Sequence, residues 1–148
     1  MLNGSRKVDY DAAIRGEFEN IDRELDLIEL LLRKSSQNPL NDIEIRAAAL
    51  SLSTIYNGIE KVIEFAVKDR AIPMPSGSTW HTALLELAEK QSLIDNTTRS
   101  NLLGFLAFRH FIRHAYSFEI DPEAIMEILE KSPDLVRSFR SQIEEKYR

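Results

Sequence analysis

Residues 41–69, NDIEIRAAALSLSTIYNGIEKVIEFAVKD, decide the fold of this chain. Apolar side chains recur there at steps of three and four residues, the spacing that places them on one face of an α-helix. They are Ala48, Leu52, Ile55, Ile59, Val62 and Ala66. Asn41 or Asp42 can accept hydrogen bonds from the free N–H groups of the first turn, where Glu44 adds a favourable negative charge. The stretch therefore predicts a long helix that begins at residue 41 or 42 and ends near Asp69.

The preceding stretch predicts a second long helix, from about Tyr10 to Lys34. Its apolar residues follow the same steps of three and four: Ile14, Phe18, Ile21, Leu25, Ile28 and Leu32. Asn38-Pro39 is a turn signal that separates the two helices. Two long amphipathic helices joined by a short turn pack as an antiparallel hairpin.

The C-terminal half predicts three shorter helices. Ser78 can cap a helix from Thr79 to about Gln91, and another begins around Asp95 or Asn96. Asp121-Pro122 starts the last helix, and Pro133 within it leaves open one kinked helix or two short ones, the second capped by Ser132. The expected fold is all-α: an antiparallel bundle of about five helices in a single domain, residues 1–148.

Composition narrows the class of protein. The chain has 148 residues, no cysteine and a formal net charge of −5, so disulfides and thiolate chemistry are excluded. The first ten residues do not resemble a signal peptide, and no apolar run reaches the length of a membrane span, so we expect a cytoplasmic protein. Residues 96–118 nevertheless contain no acidic residue while holding three arginines and two histidines. This basic island can bind phosphate on an acidic protein, because the contact is local.

The island contains the stretch 105–119, FLAFRHFIRHAYSFE. On a continuous helix, Arg109, Arg113 and Tyr116 share one largely apolar face, and His110 and His114 form a pair on a neighbouring face. An unpaired guanidinium among apolar side chains is costly. Arg109 is therefore expected either to pair with a glutamate from another helix or to be held in a cleft for an anionic ligand.

These residue types suit RNA cleavage without a metal. Histidine can remove the proton of a ribose 2′-OH near neutral pH, and arginine can stabilise the charge that develops on the phosphate oxygens. Arg109 and His114 supply one of each, but regular helical geometry separates them by roughly 140°. Either the helix is distorted near His114, or the site combines residues of two protomers. We favour the second arrangement, because the face around Arg109 is more apolar than a lone bundle needs to expose.

The string Arg109-His110-Phe111-Ile112-Arg113-His114-Ala115-Tyr116 resembles the R-x4-H-x-Y motif of HEPN-domain, HepT-like toxins of prokaryotic toxin–antitoxin modules of type VII. The strings at 56–60, 80–81 and 118–122 resemble one branch of that family as well. The resemblance covers roughly residues 11–148. One departure is His110, since many members have Asn or Asp after the motif arginine.

This resemblance implies a homodimeric, metal-independent endoribonuclease that needs no cofactor. Arg109 and His114 would be its catalytic residues, with Arg113 and His110 binding RNA phosphate, although His110 leaves open which histidine is the general base. The implied partner is an MNT-type nucleotidyltransferase antitoxin that transfers AMP from ATP to Tyr116 and so inactivates the toxin. An added phosphodiester there would occupy the phosphate site.

Other interpretations remain. His110 and His114 have a metal-ligand spacing, but no third ligand is apparent in the stretch. Trp80 and His81 suit a structural role, and Arg99 could contact RNA or lie on a solvated helix face. The alternative function is a non-catalytic helical module that docks a nucleotidyltransferase, with Arg109 paired to a buried carboxylate.

Overall fold

The computed structural model describes residues 8–147 and confirms an all-α bundle. Its helices are α1 (Tyr10–Ser35), α2 (Asp42–Asp69), α3 (Trp80–Lys90), α4 (Asn96–His114) and α5 (Pro122–Glu145), with one turn of 3-10 helix (Ser117–Glu119) before α5. The expectation about a signal peptide rests largely on residues 1–7, which lie outside the described residues. Within the described part, no helix is both long and apolar enough to cross a bilayer.

The predicted hairpin of α1 and α2 is present. Asn41 caps α2 with a reciprocal pair of hydrogen bonds: its side chain accepts from the Glu44 N–H (2.8 Å), and its own N–H donates to the Glu44 carboxylate (3.0 Å). Gly58 lets the two helices approach closely, because a Cβ at that position would lie 2.9 Å from Cγ1 of Ile21. The hairpin thus has a capped second helix and a close approach of α1 to α2 at Gly58.

Helix α2 is the centre of the bundle and packs against each of the other four helices. The six residues of its predicted stripe are all buried, and Tyr56, Glu60 and Ile63 beside that stripe are buried too. On α1, Ile14, Phe18, Ile21 and Ile28 are buried as predicted, whereas Leu25 and Leu32 are only partly covered. The second helix is thus surrounded on more sides than a simple amphipathic pattern indicates.

In the C-terminal half, one prediction is wrong and one open alternative is decided. Ser78 does not cap α3, so that prediction is wrong: the Trp80 N–H donates to the Gly77 carbonyl (3.3 Å), which places Ser78 inside a turn. Helix α5 runs unbroken through Pro133. The Ser132 hydroxyl donates to the Leu129 carbonyl (2.9 Å), which Pro133 cannot do because it lacks an N–H. One continuous helix is therefore the outcome.

Candidate active site

Helix α4 carries four of the candidate site residues: Arg109, His110, Arg113 and His114. Its first turn is capped by Asp95, whose side chain accepts from the Thr98 N–H (2.8 Å), and buried Leu102, Phe105 and Phe108 fix its inner face. The rotation of the helix is thereby set. Arg109 lies half-buried at the edge of the inner face, whereas His110, Arg113 and His114 are exposed.

The guanidinium of Arg109 has no carboxylate partner among residues 8–147. Its Nε is buried and makes no hydrogen bond to any described group. The Cζ atom lies 6.0 Å from the centre of the Tyr56 ring, which offers its π-face to the cation. Of the two arrangements expected for Arg109, the ion pair with a glutamate is absent from the described chain. Arg109 therefore has no ion pair, and its Nε has no hydrogen bond, within the part of the chain that the structure describes.

Next to Arg109 lies a polar group of three residues, in which Tyr56 and Glu60 are buried and His81 is half-buried. Glu60 is only 5% exposed, and its Oε2 lies 2.6 Å from Nδ1 of His81, whose ring stacks on Trp80 with centroids 3.9 Å apart. The Tyr56 hydroxyl is buried without a hydrogen-bond partner among the described residues. Burial, and next the negative charge of Glu60, raise the pKa of Tyr56 far above its usual range, while nearby Arg109 acts in the opposite direction.

This group shows what sequence reasoning missed about the site. His81 was expected to be structural, and its partner is Glu60. Tyr56 and Glu60 were noticed only as part of a family-like string, although a tyrosine and a glutamate four residues apart on an apolar helix face are a signal of a buried polar group. Because Tyr56 faces both Arg109 and Glu60, it connects Arg109 to the hydrogen-bonded pair of Glu60 and His81.

The two histidines lie together, but apart from Arg109. The rings of His110 and His114 are 5.1 Å apart in an edge-to-face arrangement. Helix α4 includes His114 as its last residue. Five helical steps therefore leave Arg109 and His114 about 140° apart around the axis. A distorted helix end, the first of the two expected arrangements, is not what brings them together.

Tyr116 lies outside the helix, so its predicted place on the helical face of Arg109 and Arg113 is wrong. Ala115 is extended (φ −94°, ψ 143°) and ends α4. Glu119 explains this end: its carboxylate accepts from the Tyr116 N–H (2.8 Å), and its own N–H donates to the Tyr116 carbonyl (2.8 Å). These bonds hold a tight turn in place of a further helical turn. The Tyr116 side chain is 71% exposed.

One further expectation has an outcome. Arg99 contacts the Glu89 carboxylate, in keeping with an ordinary helix face. Among the residues that the structure describes, no three His, Asp or Glu side chains are grouped so that they could hold a metal ion.

Comparison with known proteins shows to which family the chain belongs. The family model described as HepT-like protein matches residues 47–148. The chain belongs to the HepT-like protein family. HepT-like proteins are toxin-like proteins of the HEPN type, and proteins of that type are generally ribonucleases. The matched range contains Tyr56, Glu60 and all five candidate residues of 109–116, while α1 precedes it. No curated protein and no solved structure gave a significant match.

Proposed function

We propose that this HepT-like protein is the toxin of a HEPN/MNT toxin–antitoxin module and cleaves tRNA or mRNA in the cytoplasm without a metal ion. The observation that carries the proposal is Arg109. Its guanidinium is half-buried, lacks a carboxylate partner within residues 8–147 and has a buried, unpartnered Nε. Structural arginines at such positions are normally paired, so the arrangement favours an anionic ligand.

The chemistry follows from the residue types. His114 removes the proton of the ribose 2′-OH, and the 2′-oxygen forms a bond to the adjacent phosphorus. The bond from phosphorus to the 5′-oxygen breaks, and that oxygen leaves with a proton from His110 or from water. Arg109 stabilises the charge on the phosphate oxygens, and exposed Arg113 and His110 bind phosphate beside it. The products are a 2′,3′-cyclic phosphate and a 5′-hydroxyl.

The active unit in this proposal is a homodimer. Arg109 and His114 of one chain lie about 140° apart around α4, so a single scissile phosphate meets both only if they come from different protomers. Around the axis of α4, exposed Arg113 and His110 lie between Arg109 and His114. A second copy that packs on this side of α4 can bring its own His114 to Arg109.

Tyr116 is the site of inactivation in this proposal. An MNT-type nucleotidyltransferase antitoxin catalyses attack of the phenol oxygen on the α-phosphorus of ATP, which forms O-AMP-tyrosine and releases pyrophosphate. The exposure of the Tyr116 side chain makes the hydroxyl accessible to another enzyme. The added phosphodiester places an anion two residues after His114, where it competes with RNA phosphate at the end of α4.

RNA cleavage in EDTA tests the nuclease. Unmodified protein, verified by mass, is incubated with total RNA in the presence of the chelator. We expect cleavage that disappears in His114→Ala and Arg109→Gln and persists in Arg137→Gln, which removes an exposed arginine of α5 paired with Asp134. Intact RNA after incubation with folded, unmodified dimer would refute the nuclease and favour a docking module.

A second experiment tests the modification. The toxin is incubated with the antitoxin and ATP and then weighed by mass spectrometry. We expect mass increases equal to one or more AMP units, loss of RNA cleavage, and no increase in Tyr116→Phe. An unchanged mass, or the same increase in Tyr116→Phe, would show that Tyr116 is not the acceptor.

A further inference from the structure

A cavity of about 390 Å³ lies where the residues that follow α4 meet the N-terminal half of α2. Its volume is within the range of about 300–1,000 Å³ typical of small-molecule sites. Its walls include Arg46 and Ala49 of α2, Ile112 of α4, and Tyr116, Phe118 and Ile120. Arg46 has no place in the cleavage mechanism proposed above, and neither has Phe118.

Two aromatic rings at this cavity face solvent. The Tyr116 and Phe118 rings are almost parallel (4°), with centroids 5.5 Å apart, and Phe118 is 83% exposed. Packing of the bundle does not require so exposed a phenylalanine. Exposed flat rings are what proteins that bind single-stranded nucleic acid offer to unpaired bases.

Arg46 supplies a cation to the same cavity. Its side chain is exposed and makes no ion pair with any carboxylate in the part of the chain that the structure describes. The neighbouring carboxylate of Glu119 accepts the Tyr116 N–H and does not line the cavity. A guanidinium without a counter-charge next to stacked aromatic rings matches the two halves of a nucleotide, its phosphate and its base.

We infer that this cavity binds one nucleotide of a single-stranded RNA, with the phosphodiester at Arg46 and the base stacked on Phe118. The inference rests on the proposed function, which supplies the RNA. Arg46 and Phe118 are binding residues in this assignment, and they hold the strand beside the cleavage site. The same nucleotide chemistry has a second source, the adenylyl group on Tyr116, and the experiment separates the two.

The probe is a fluorescein-labelled, single-stranded octanucleotide whose 2′-oxygens are methylated, so that it cannot be cleaved. Its binding to unmodified protein is measured by fluorescence anisotropy at salt concentrations from about 50 to about 200 mM, a range over which phosphate contacts change the affinity strongly. Phe118→Leu should weaken binding about five- to 150-fold, and should have no effect on an octanucleotide with abasic sites in place of bases. Arg46→Gln should weaken binding to both probes and reduce the slope of log K against log salt by about 0.7.

Matched controls accompany each variant. Arg137→Gln removes an equal charge from α5, and Ile43→Ala removes an apolar side chain that is 78% exposed on α2. Both should bind within about twofold of the wild type, since neither residue lines the cavity. Light scattering after gel filtration gives the oligomeric state of every variant.

Dependence on both Arg46 and Phe118 in unmodified protein assigns RNA as the ligand. If both variants of the unmodified protein bind the probe as strongly as the wild type, the inference is overturned. The same holds if the two substitutions alter only the adenylylated protein. Dissociation of the dimer in either variant overturns it too, because the cavity is then a contact between copies. The nuclease is judged separately: cleavage that needs His114 but neither cavity residue refutes only the nucleotide site, and binding that needs both without any cleavage refutes only the nuclease.

Discussion

The proposal that each active site combines two protomers predicts an unusual result in mixed dimers. Arg109→Gln and His114→Ala should each abolish cleavage in a homodimer. In a dimer that contains one chain of each variant, the intact Arg109 of one protomer faces the intact His114 of the other. One of the two sites is then complete, so we expect about half the activity of the wild-type dimer.

The two chains are co-expressed with different affinity tags, and the mixed dimer is isolated by two successive affinity steps. Its control is a mixed dimer of wild-type chain and the double variant Arg109→Gln/His114→Ala, in which every composite site has one altered residue. The control should be inactive. Sites built within one chain give the reverse pattern, with an inactive first dimer and a half-active control, and that result would refute the separation deduced from the regular helix through His114.

Four further predictions concern stability and the support of Arg109. Tyr56→Phe should keep cleavage within about twofold, because the ring under the guanidinium remains, and Tyr56→Ala should lower the free energy of unfolding in urea by about 3–5 kcal/mol. Burial raises the pKa of Tyr56, so the stability that comes from keeping its hydroxyl protonated is complete below about pH 10 and is lost as the pH rises. Above about pH 10, the unfolding free energy of the wild type should fall by up to about 1.4 kcal/mol per pH unit relative to that of Tyr56→Phe. Plots of unfolding free energy against pH that run parallel for the two proteins would contradict this. Arg140→Ala should lower the unfolding free energy by about 1–2 kcal/mol, because Nη1 lies 2.8 Å from both Asp22 oxygens and Cζ lies 4.9 Å from the centre of the Phe18 ring; a change below a few tenths would show that neither contact contributes.

Much of the fold could be predicted from the sequence, because local signals and packing agree over most of it. The stripe on α2 and the cap at Asn41 each specify the same long helix. Ser78 misled, because its capping potential is local, whereas the start of α3 depends on a turn closed by Gly77. The sequence alone could not decide whether the helix continues through Pro133. The hydroxyl that compensates for the missing N–H of Pro133 belongs to Ser132, which could equally have capped a new helix.

The candidate site was only half accessible to sequence reasoning. Periodicity correctly placed Arg109 at the inner face of α4, but it could not decide whether a carboxylate would reach it from another helix. The answer depends on three-dimensional packing: Glu60 hydrogen-bonds His81, and the ring of Tyr56 lies next to Arg109. Periodicity also predicted, wrongly, that α4 continues through Tyr116. It takes no account of the Glu119 side chain, which accepts a hydrogen bond from the Tyr116 N–H just beyond the end of the helix.

The turn held by Glu119 has a consequence for any enzyme that modifies Tyr116. A tyrosine within a helix has side chains one turn above and below it, and these restrict the space around its ring. Tyr116 follows an extended Ala115, beyond the last helical turn. Under the proposed function, a nucleotidyltransferase therefore meets Tyr116 outside any regular α-helix, and its modification requires no change in the bundle that holds Arg109.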